Sequence, residues 1–513
     1  MRGDLTQALV EADLWNDEML AQAGIPVIDV PFVTIGSGIG SFVTFDTLRI
    51  YGVPAASMAV LGPQDVPWSS YEYLTRVSQI PRRERLRSDS ASTPDNMWGF
   101  PSYAVREAFA EKTIAPLWNV FVEPIFANYY TPRAGHAFDS MEREFHRIGY
   151  ASSLYKGHVR MVRKRDGGGY FTILTPPAGV SPTKRVAFRS TYVHVAVGYP
   201  GLKLLPDLQE YRERHRDPTR VVNAYEPHEH VYQALQRKPG TVMIRGSGIV
   251  ASRVLQRLID DRDKLQLRTQ ILHLFRTYIA GPHGPNVFKR RPGGDGWAYQ
   301  GFNYPKSVWG GQLKAQMRRL QGEERAQAYK EMGGTNTPIR KNWQRQLKRG
   351  RTEGWYQVMA GTARDLRPVA DKQGVVATIV PDPQAPLPFP PPTQPFDTQV
   401  DYIIDCTGLE ADIREHRLLA DLLDHAGAGR NPVGRLDVDR TFELIGTRSG
   451  TGRIYASGSA TLGGYFPGVD TFLGLQIAAQ EIADDLAAVG FCRRLGPLRS
   501  THQWWLWLRN RKI

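Results

Sequence analysis

The sequence predicts an α/β fold built from two parallel-sheet units and a smaller helical insertion. Two observations carry this prediction: one glycine-rich turn follows a short apolar strand at Gly36, and a second follows another such strand at Gly246. Each turn opens a segment with helical spacing, and a further strand comes after it. The composition suits a folded chain of several units, since 41% of the 513 residues are hydrophobic and 23% are charged.

The first unit starts at Pro31. Residues 31–35 predict a buried strand, residues 41–51 a helix and residues 55–61 a second strand. In such a turn the first glycine permits the tight bend, the second lets backbone approach a pyrophosphate, and the helix N-terminus offers N–H groups to its negative charge. The residues predicted to bind a dinucleotide here are Gly36, Ser37, Gly38, Ile39, Gly40 and Ser41.

Two positions depart from the usual pattern of this unit. Ser41 stands where a third glycine is common, and Gly62 stands where an acidic side chain usually holds the ribose hydroxyls. Asp65 follows three residues too late for that role. The sequence therefore leaves open how the adenosine half of a dinucleotide is held.

The second unit has a strand at 241–245, a helix at 252–260 and another strand at 270–275. Where an acid would read the ribose 2′-hydroxyl, the chain has Arg276, and a cation there suits a 2′-phosphate. We therefore expect NADPH rather than NADH, the alternative being a surface arginine at a strand end. The residues predicted to bind it are Gly246, Ser247, Gly248, Ile249, Ala251 and Arg276.

Two such turns, 210 residues apart, predict two Rossmann-like dinucleotide-binding domains in one chain. Strands at 402–408 and 453–458 are expected to return to the first sheet, so that the second domain is an insertion. The predicted boundaries are 1–220 and 398–490 for the first domain, 221–380 for the second with a basic helical insertion at 281–350, 381–397 for a proline-rich loop, and 491–513 for an aromatic and basic tail.

The basic insertion holds 14 lysines and arginines and four acids, within a chain of formal net charge +14. Residues 312–332 predict one amphipathic helix in it. Clustered cations attract nucleic acid or a membrane surface, but the favoured interpretation is a solvated helical face or a field that draws in an anionic nucleotide. Because no nucleic-acid module accompanies the charge, no specific nucleic-acid partner is predicted.

Cysteine usage indicates a reducing compartment, and a cytoplasmic location is expected. Cys406 and Cys492 are too few and too far apart for a disulfide scaffold or a zinc finger. His228 and His230 form only an H-x-H pair, so no metal site is predicted. The acidic N-terminal residues do not fit a secretory signal, and no apolar run approaches the length that crosses a bilayer.

These motifs resemble the two-dinucleotide flavoprotein monooxygenases, a class that includes the flavin-containing monooxygenases and the lysine and ornithine N-hydroxylases. The turn at 36–41 is similar to the FAD turn of that class and the turn at 246–251 to its NADPH turn. His228 and Tyr232 match its linker fingerprint, and residues 405–408 resemble its alanine-threonine-glycine strand. The resemblance implies a glutathione-reductase-like FAD domain with an inserted NADPH domain.

The resemblance also implies further site residues. Asn336 is similar to an asparagine that touches substrate and cofactor in the amine N-hydroxylases. Gly458 and Ser459 lie where related proteins have a glycine and an aspartate that contacts the flavin ribityl chain. Residues 463–472 precede a helix that starts at Thr471, so their backbone is expected to close over the pyrimidine end of the flavin. Trp68 either covers the flavin or packs in the core.

The implied function is that of an FAD-dependent, NADPH-reduced monooxygenase. In that class NADPH reduces FAD, reduced FAD and O₂ give a flavin hydroperoxide, and a small nucleophilic substrate, an amine among the candidates, takes the distal oxygen. One alternative is an NADPH-dependent flavin reductase that passes electrons to a quinone-like acceptor. Another is a non-catalytic dinucleotide-binding sensor. The tail at 504–512 either contacts a membrane interface, docks on a partner or packs on this chain.

Overall fold

The computed structural model describes residues 3–86, 93–122, 130–284, 292–299, 312–332, 337, 339–370, 373–409, 412–466 and 468–513. Its first sheet has five strands, all parallel. In spatial order the strands are Arg453–Ala456, Tyr192–Val195, Phe32–Ile35, Met58–Gly62 and Leu154–Lys156. The three central strands are buried along their whole length, as expected of a parallel sheet covered on both faces.

The order of this sheet is that of a doubly wound fold. The strand at Phe32–Ile35 is central, the next two strands in the chain lie to one side of it, and the last two lie to the other. The crossover direction therefore reverses beside Phe32–Ile35, and in open parallel sheets a ligand cleft forms at that point, outside the carboxyl ends of the strands.

The second sheet has seven strands. They are, in spatial order, Val221–Asn223, Tyr402–Asp405, Thr241–Arg245, Gln270–Phe275, Tyr356–Pro368, Val375–Pro381 and Phe396–Val400. The first five run parallel and the last two add antiparallel hairpins.

One expected strand placement is wrong. Tyr402–Asp405 pairs with Thr241–Arg245 and Val221–Asn223 in the second sheet, whereas only Arg453–Ala456 returns to the first. A short apolar strand carries no local signal for its sheet, because the choice depends on contacts with strands far away in the sequence.

A third sheet of five strands lies beside the first. Alternating apolar residues at 159–163 and 170–175, around the glycines at 167–169, predict a hairpin. The central hairpin of this sheet joins His158–Arg165 to Tyr170–Thr175 at that place. The full order of the sheet is Leu14–Trp15, His158–Arg165, Tyr170–Thr175, Val186–Ser190 and Val27–Asp29. A separate pair of short strands joins Gly293–Gly294 to Trp297–Ala298.

The first and second units share a structural feature that the sequence pattern does not show. In each unit the third parallel strand bends at a glycine into antiparallel hairpins: Gly157 has φ +152° and Gly361 has φ +149°. A Cβ at Gly157 would lie 2.4 Å from the Thr175 carbonyl oxygen, and one at Gly361 would lie 2.2 Å from that of Val380. At both bends a Cβ would collide with a carbonyl oxygen of the neighbouring strand, so both require glycine. The two units therefore have the same arrangement of parallel strands followed by antiparallel hairpins.

Helices cover the sheets and supply the smaller layers. They are Gln7–Glu11, Asp17–Gln22, Ile39–Ile50, Ser69–Val77, Ser102–Glu111, Ala115–Phe121, Ala134–Ile148, Pro206–His215, Glu229–Arg237, Ile249–Leu265, Gln312–Arg319, Gly322–Met332, Lys341–Glu353, Arg417–His425, Phe472–Ala488 and Pro497–Leu508. The single helix expected over 312–332 is therefore two helices, with a break at residues 320–321 beside Gly322, whose φ is +48°. Between Pro381 and Phe396 the chain forms neither strand nor helix, as its prolines predict.

The C-terminal tail packs on the first unit. Trp507 is buried, and its indole Nε1 donates to the Asp95 carbonyl oxygen over 2.8 Å. The Arg49 guanidinium also donates to the carbonyl oxygen of Ile513. In the part of the chain that the structure describes, no helix is both long enough and apolar enough to cross a bilayer.

Candidate functional site

The first glycine turn connects the central strand Phe32–Ile35 to the helix Ile39–Ile50. The Gly36 N–H donates to the Leu61 carbonyl oxygen over 2.8 Å, and Gly36 has φ +100°. A Cβ there would lie 2.3 Å from the Ala196 carbonyl oxygen, so only glycine fits. The helix is N-capped by Gly38 without a side-chain hydrogen bond, which leaves its first N–H groups available to an anion.

Ser41, in place of a third glycine, belongs to a buried chain of hydrogen bonds beneath the turn. Thr34 Oγ1 donates to Ser41 Oγ over 2.8 Å, and the His194 ring nitrogens lie 2.9 Å from Thr34 Oγ1 and from Ser457 Oγ. Burial lowers the pKa of His194 to about 3, so the ring is neutral. These hydrogen bonds connect the start of the helix to two strand ends and hold the glycine turn in place.

The missing acid at Gly62 has a steric explanation. A Cβ at Gly62 would lie 2.4 Å from Ser37 Oγ and 2.5 Å from Ser37 N, so the turn and the end of the second strand are in direct contact. Ser37 Oγ accepts a hydrogen bond from the Gln64 N–H over 2.9 Å. The acid is excluded because this strand end lies too close to the glycine turn for any side chain.

Gln64, two residues after Gly62, lies beside the glycine turn. Its side-chain amide donates to Ser70 Oγ, and its Oε1 is buried without a hydrogen-bond partner among the described residues. That oxygen lies 3.7 Å from the point where a Cβ on Gly38 would be. A buried hydrogen-bond acceptor without a partner costs folding free energy. The Gln64 Oε1 lies next to the backbone surface that the glycines of the turn leave without side chains. The position of Gln64 after the second strand is the one local feature that could have pointed to it.

These elements line a cleft of about 750 Å³ at the carboxyl ends of the first sheet. The predicted residues Gly36, Ser37, Gly38, Ile39, Gly40, Gly458 and Ser459 all contribute to its wall. Ser41 lies underneath rather than on the wall. Ser459 Oγ donates to the Gly198 carbonyl oxygen over 2.7 Å, so its side chain supports the opposite loop.

Thr471 is placed as predicted at a helix start. Its Oγ1 accepts from the Gly474 N–H over 3.1 Å and donates to the Gly468 carbonyl oxygen over 2.7 Å. It thereby caps the helix Phe472–Ala488, whose first residue, Phe472, lines the cleft.

Trp68 lies in the core and does not line the cleft. It is buried and packs edge-on against Phe145, with ring centroids 5.9 Å apart. Tyr71, one turn further along, lines the cleft instead and packs against Phe472, with centroids 5.4 Å apart. Burial raises the pKa of Tyr71 to about 12, so its phenol is neutral.

The far wall of the cleft combines the two units. Tyr225 and Leu409 follow strands of the second sheet, and His416 precedes the helix Arg417–His425, which packs on the first unit. None of these three was predicted as a site residue. Burial lowers the pKa of His416, and within the described part of the chain its Nδ1 is buried without a hydrogen-bond partner. The cleft therefore lies where the two units meet, which only the folded chain brings together.

The second glycine turn repeats the geometry of the first. Gly246 has φ +120°, and a Cβ there would lie 2.8 Å from the Cys406 carbonyl oxygen. The helix Ile249–Leu265 is N-capped by Gly248, again without a side-chain hydrogen bond, and Ala251 is buried where the helix meets the sheet. Ser247 and Ile249 are half-buried beside the turn.

Arg276 follows the strand Gln270–Phe275 and is exposed. None of the described residues forms an ion pair with it. Its guanidinium is therefore available at the strand end, where a 2′-phosphate is expected.

Three further predictions concern single residues. His228 Nε2 lies 3.1 Å from the Tyr232 hydroxyl and Nδ1 lies 2.8 Å from the Glu226 carbonyl oxygen, so this histidine stabilises a loop. Cys406 follows the strand Tyr402–Asp405 directly, and burial raises the pKa of its thiol. Asn336 lies outside the described residues. Among the described residues, no group of three or more His, Cys, Asp or Glu side chains is arranged to hold a metal ion.

No protein-family model and no curated protein sequence matches this chain. Solved structures match it over most of its length. An ornithine N-hydroxylase from Kutzneria sp. 744, solved with reduced FAD, NADP⁺ and L-ornithine, has a TM-score of 0.60 at 12% identity, covering 90% of this chain and 100% of the other. A cadaverine monooxygenase from Erwinia amylovora, solved with FAD, has a TM-score of 0.62 at 13% identity, covering 89% and 94%.

A bacillithiol disulfide reductase from Bacillus cereus also matches, with a TM-score of 0.52 at 11% identity, covering 90% of this chain and 100% of the other. At such identities the likeness shows the fold. The predicted α/β fold with parallel sheets is confirmed, and it is shared by proteins of the class that the sequence motifs resemble.

Proposed function

We propose that this protein is an FAD-dependent, NADPH-reduced monooxygenase that N-hydroxylates a small primary amine. The observation that carries the proposal is the cleft at the carboxyl ends of the first sheet, where the glycine turn, the strand end at Ser457–Ser459 and Gln64 face one space. Two solved N-hydroxylating or amine-oxygenating enzymes share the fold over nearly its whole length. We further propose two dinucleotide-binding domains, one at each glycine turn.

The residues of the first site fit FAD. The open N–H groups at Gly38–Gly40 suit a pyrophosphate, and the Gln64 Oε1 suits a ribose hydroxyl in place of the absent acid. When bound, FAD supplies the redox and oxygen chemistry. The chain itself orients the cofactor by its turn, excludes water through the Tyr71 and Phe472 side chains, and keeps His194 neutral beneath the site.

The proposal is tested by the visible spectrum of the purified protein before and after anaerobic addition of NADPH. We expect flavin absorption in near-stoichiometric amount, bleached by NADPH. In air, L-ornithine and cadaverine are then assayed for hydroxylamine formation coupled to NADPH consumption. Bleaching without any hydroxylated amine, together with electron transfer to a quinone or disulfide, would favour the reductase alternative. A protein that neither retains FAD nor oxidises NADPH contradicts both.

Arg276 is expected to determine the preference for NADPH. Because its exposed guanidinium lies at the strand end, Arg276→Ser should lower kcat/KM for NADPH by about tenfold or more and leave that for NADH nearly unchanged. The matched control is Arg268→Ser, another exposed arginine just before the same strand, which should alter neither. Equal losses with both coenzymes in Arg276→Ser would contradict the assignment.

A further inference from the structure

A helical hairpin on the first unit carries an apolar face that points to solvent. Its helices are Ser102–Glu111 and Ala115–Phe121. In the second helix and the residue before it, Ile114, Leu117, Trp118 and Phe121 recur at the spacing of one helix face. Their side chains are 79%, 39%, 59% and 72% exposed, and Phe109 across the bend is 81% exposed. We call these five residues the hairpin stripe.

The stripe is not a consequence of loose packing. The opposite face of the hairpin is anchored, since Tyr103, Ala104, Glu107 and Ala108 are buried. Glu107 accepts hydrogen bonds from the guanidinium of Arg85 and from the Tyr130 hydroxyl, the latter over 2.9 Å. The hairpin is therefore held firmly while it presents its apolar face outward.

The exposed apolar area is comparable with the largest apolar patch of a typical monomer, about 300–600 Å², which is often functional. An aromatic side chain contributes about 150–250 Å², so Phe109, Trp118 and Phe121 alone expose on the order of 400 Å². Residues 114–122 include no charged side chain. Contiguous patches of this size mark a surface for a partner or a membrane.

Cations lie on the neighbouring element. The helix Pro497–Leu508 packs against the segment that leads into the hairpin, with the Phe100 and Trp504 rings 6.4 Å apart. From Leu486 to the C-terminus the chain carries no acidic residue, and Arg493, Arg494, Arg499, Arg509, Arg511 and Lys512 supply six cations. Trp505 and Leu508 of that helix are also exposed.

We infer that the hairpin stripe inserts into the surface of an anionic lipid bilayer, with the basic C-terminal segment on the headgroups. An apolar element with a nearby polybasic segment is the combination that holds peripheral proteins on anionic membranes. A second copy of this chain is a poorer occupant, because two chains of net charge +14 repel each other. This inference is independent of the proposed function.

The test is co-sedimentation of the full-length protein with vesicles of phosphatidylcholine alone or mixed with phosphatidylserine. The wild-type protein should bind the mixed vesicles, and binding should weaken as salt is added. The double variant Ile114→Ser/Trp118→Ser should lose affinity by about tenfold or more. The control Val180→Ser/Leu265→Ser removes exposed apolar side chains elsewhere and should bind like wild type.

A second variant examines the charges. Arg509→Gln/Arg511→Gln/Lys512→Gln should remove the preference for phosphatidylserine while leaving the hairpin intact. Thermal unfolding and light scattering of each variant verify the fold and the oligomeric state. Wild-type protein that binds neither vesicle, or a hairpin variant that binds as wild type does, overturns the inference. So does a wild-type dimer that the hairpin substitutions convert to monomer without any vesicle binding, because the occupant is then a second copy.

Discussion

Replacing Gly62 by glutamate is expected to abolish FAD binding, although it supplies the acid that dinucleotide sites usually have at this position. The new Cβ would lie 2.4–2.5 Å from Ser37 Oγ and N, so the glycine turn has to move. That turn has no freedom, because Gly36 bonds to Leu61 and lies against Ala196. Flavin retained per protein and the Kd from flavin fluorescence quenching measure the effect, which we expect to exceed a hundredfold, or about 3 kcal/mol.

Two companion variants separate steric from polar effects. Gln64→Leu keeps the approximate size of the side chain and removes both the Oε1 acceptor and the amide that donates to Ser70. FAD affinity should fall by about tenfold, the typical loss for one hydrogen bond in a buried site. Asp65→Asn should leave the affinity unchanged, because Asp65 is exposed and paired with Lys156. A Gly62→Glu protein that binds FAD as tightly as wild type would show that the strand end does not lie against the turn.

Replacing Arg147 by methionine is expected to destabilise the first unit by about 3–5 kcal/mol, because it leaves buried carboxylates without their cation. The Arg147 side chain is 1% exposed, and its Nε donates to both carboxylate oxygens of Glu144 over 2.8 Å. Its Nη2 also lies 3.7 Å from Asp46 Oδ1. Urea unfolding compared with the exposed-site control Arg160→Met measures the loss. An equal effect of the two substitutions would contradict the assigned role.

The same cluster gives a pH dependence. Burial and the neighbouring Glu144 carboxylate raise the pKa of Asp46 well above its usual value near 3.8. Asp46 therefore binds its proton more tightly in the folded state than in the unfolded state. Its contribution to the free energy of unfolding is complete at pH values below the pKa of Asp46 in the unfolded chain. That contribution is lost as the pH rises through the pKa of Asp46 in the folded protein. Asp46→Asn should raise the apparent Tm at neutral pH and flatten its pH profile. An unchanged profile would mean that Asp46 does not titrate in this range.

The local motifs could be predicted because their causes are local. A strand, a turn with glycine where φ is positive, and a helix that starts without a side-chain cap leave their pattern in neighbouring residues, as at Gly36 and Gly246. The hairpin around residues 167–169 and the loop after Pro381 were predictable for the same reason. Trp68 was less predictable, because an aromatic residue at a helix start suits either a cleft or a core.

The α/β class, the two glycine turns and the residues that form them therefore follow from the residue pattern alone. Long-range contacts in the folded chain settle which sheet Tyr402–Asp405 joins, why Gly62 cannot be an acid, and that Gln64, Tyr71 and His416 meet in one cleft. These are matters of contact between segments far apart in the chain, for which the identity of neighbouring residues carries no signal. The physical reason is that hydrogen bonding within a turn is local, whereas steric exclusion and burial depend on the whole fold.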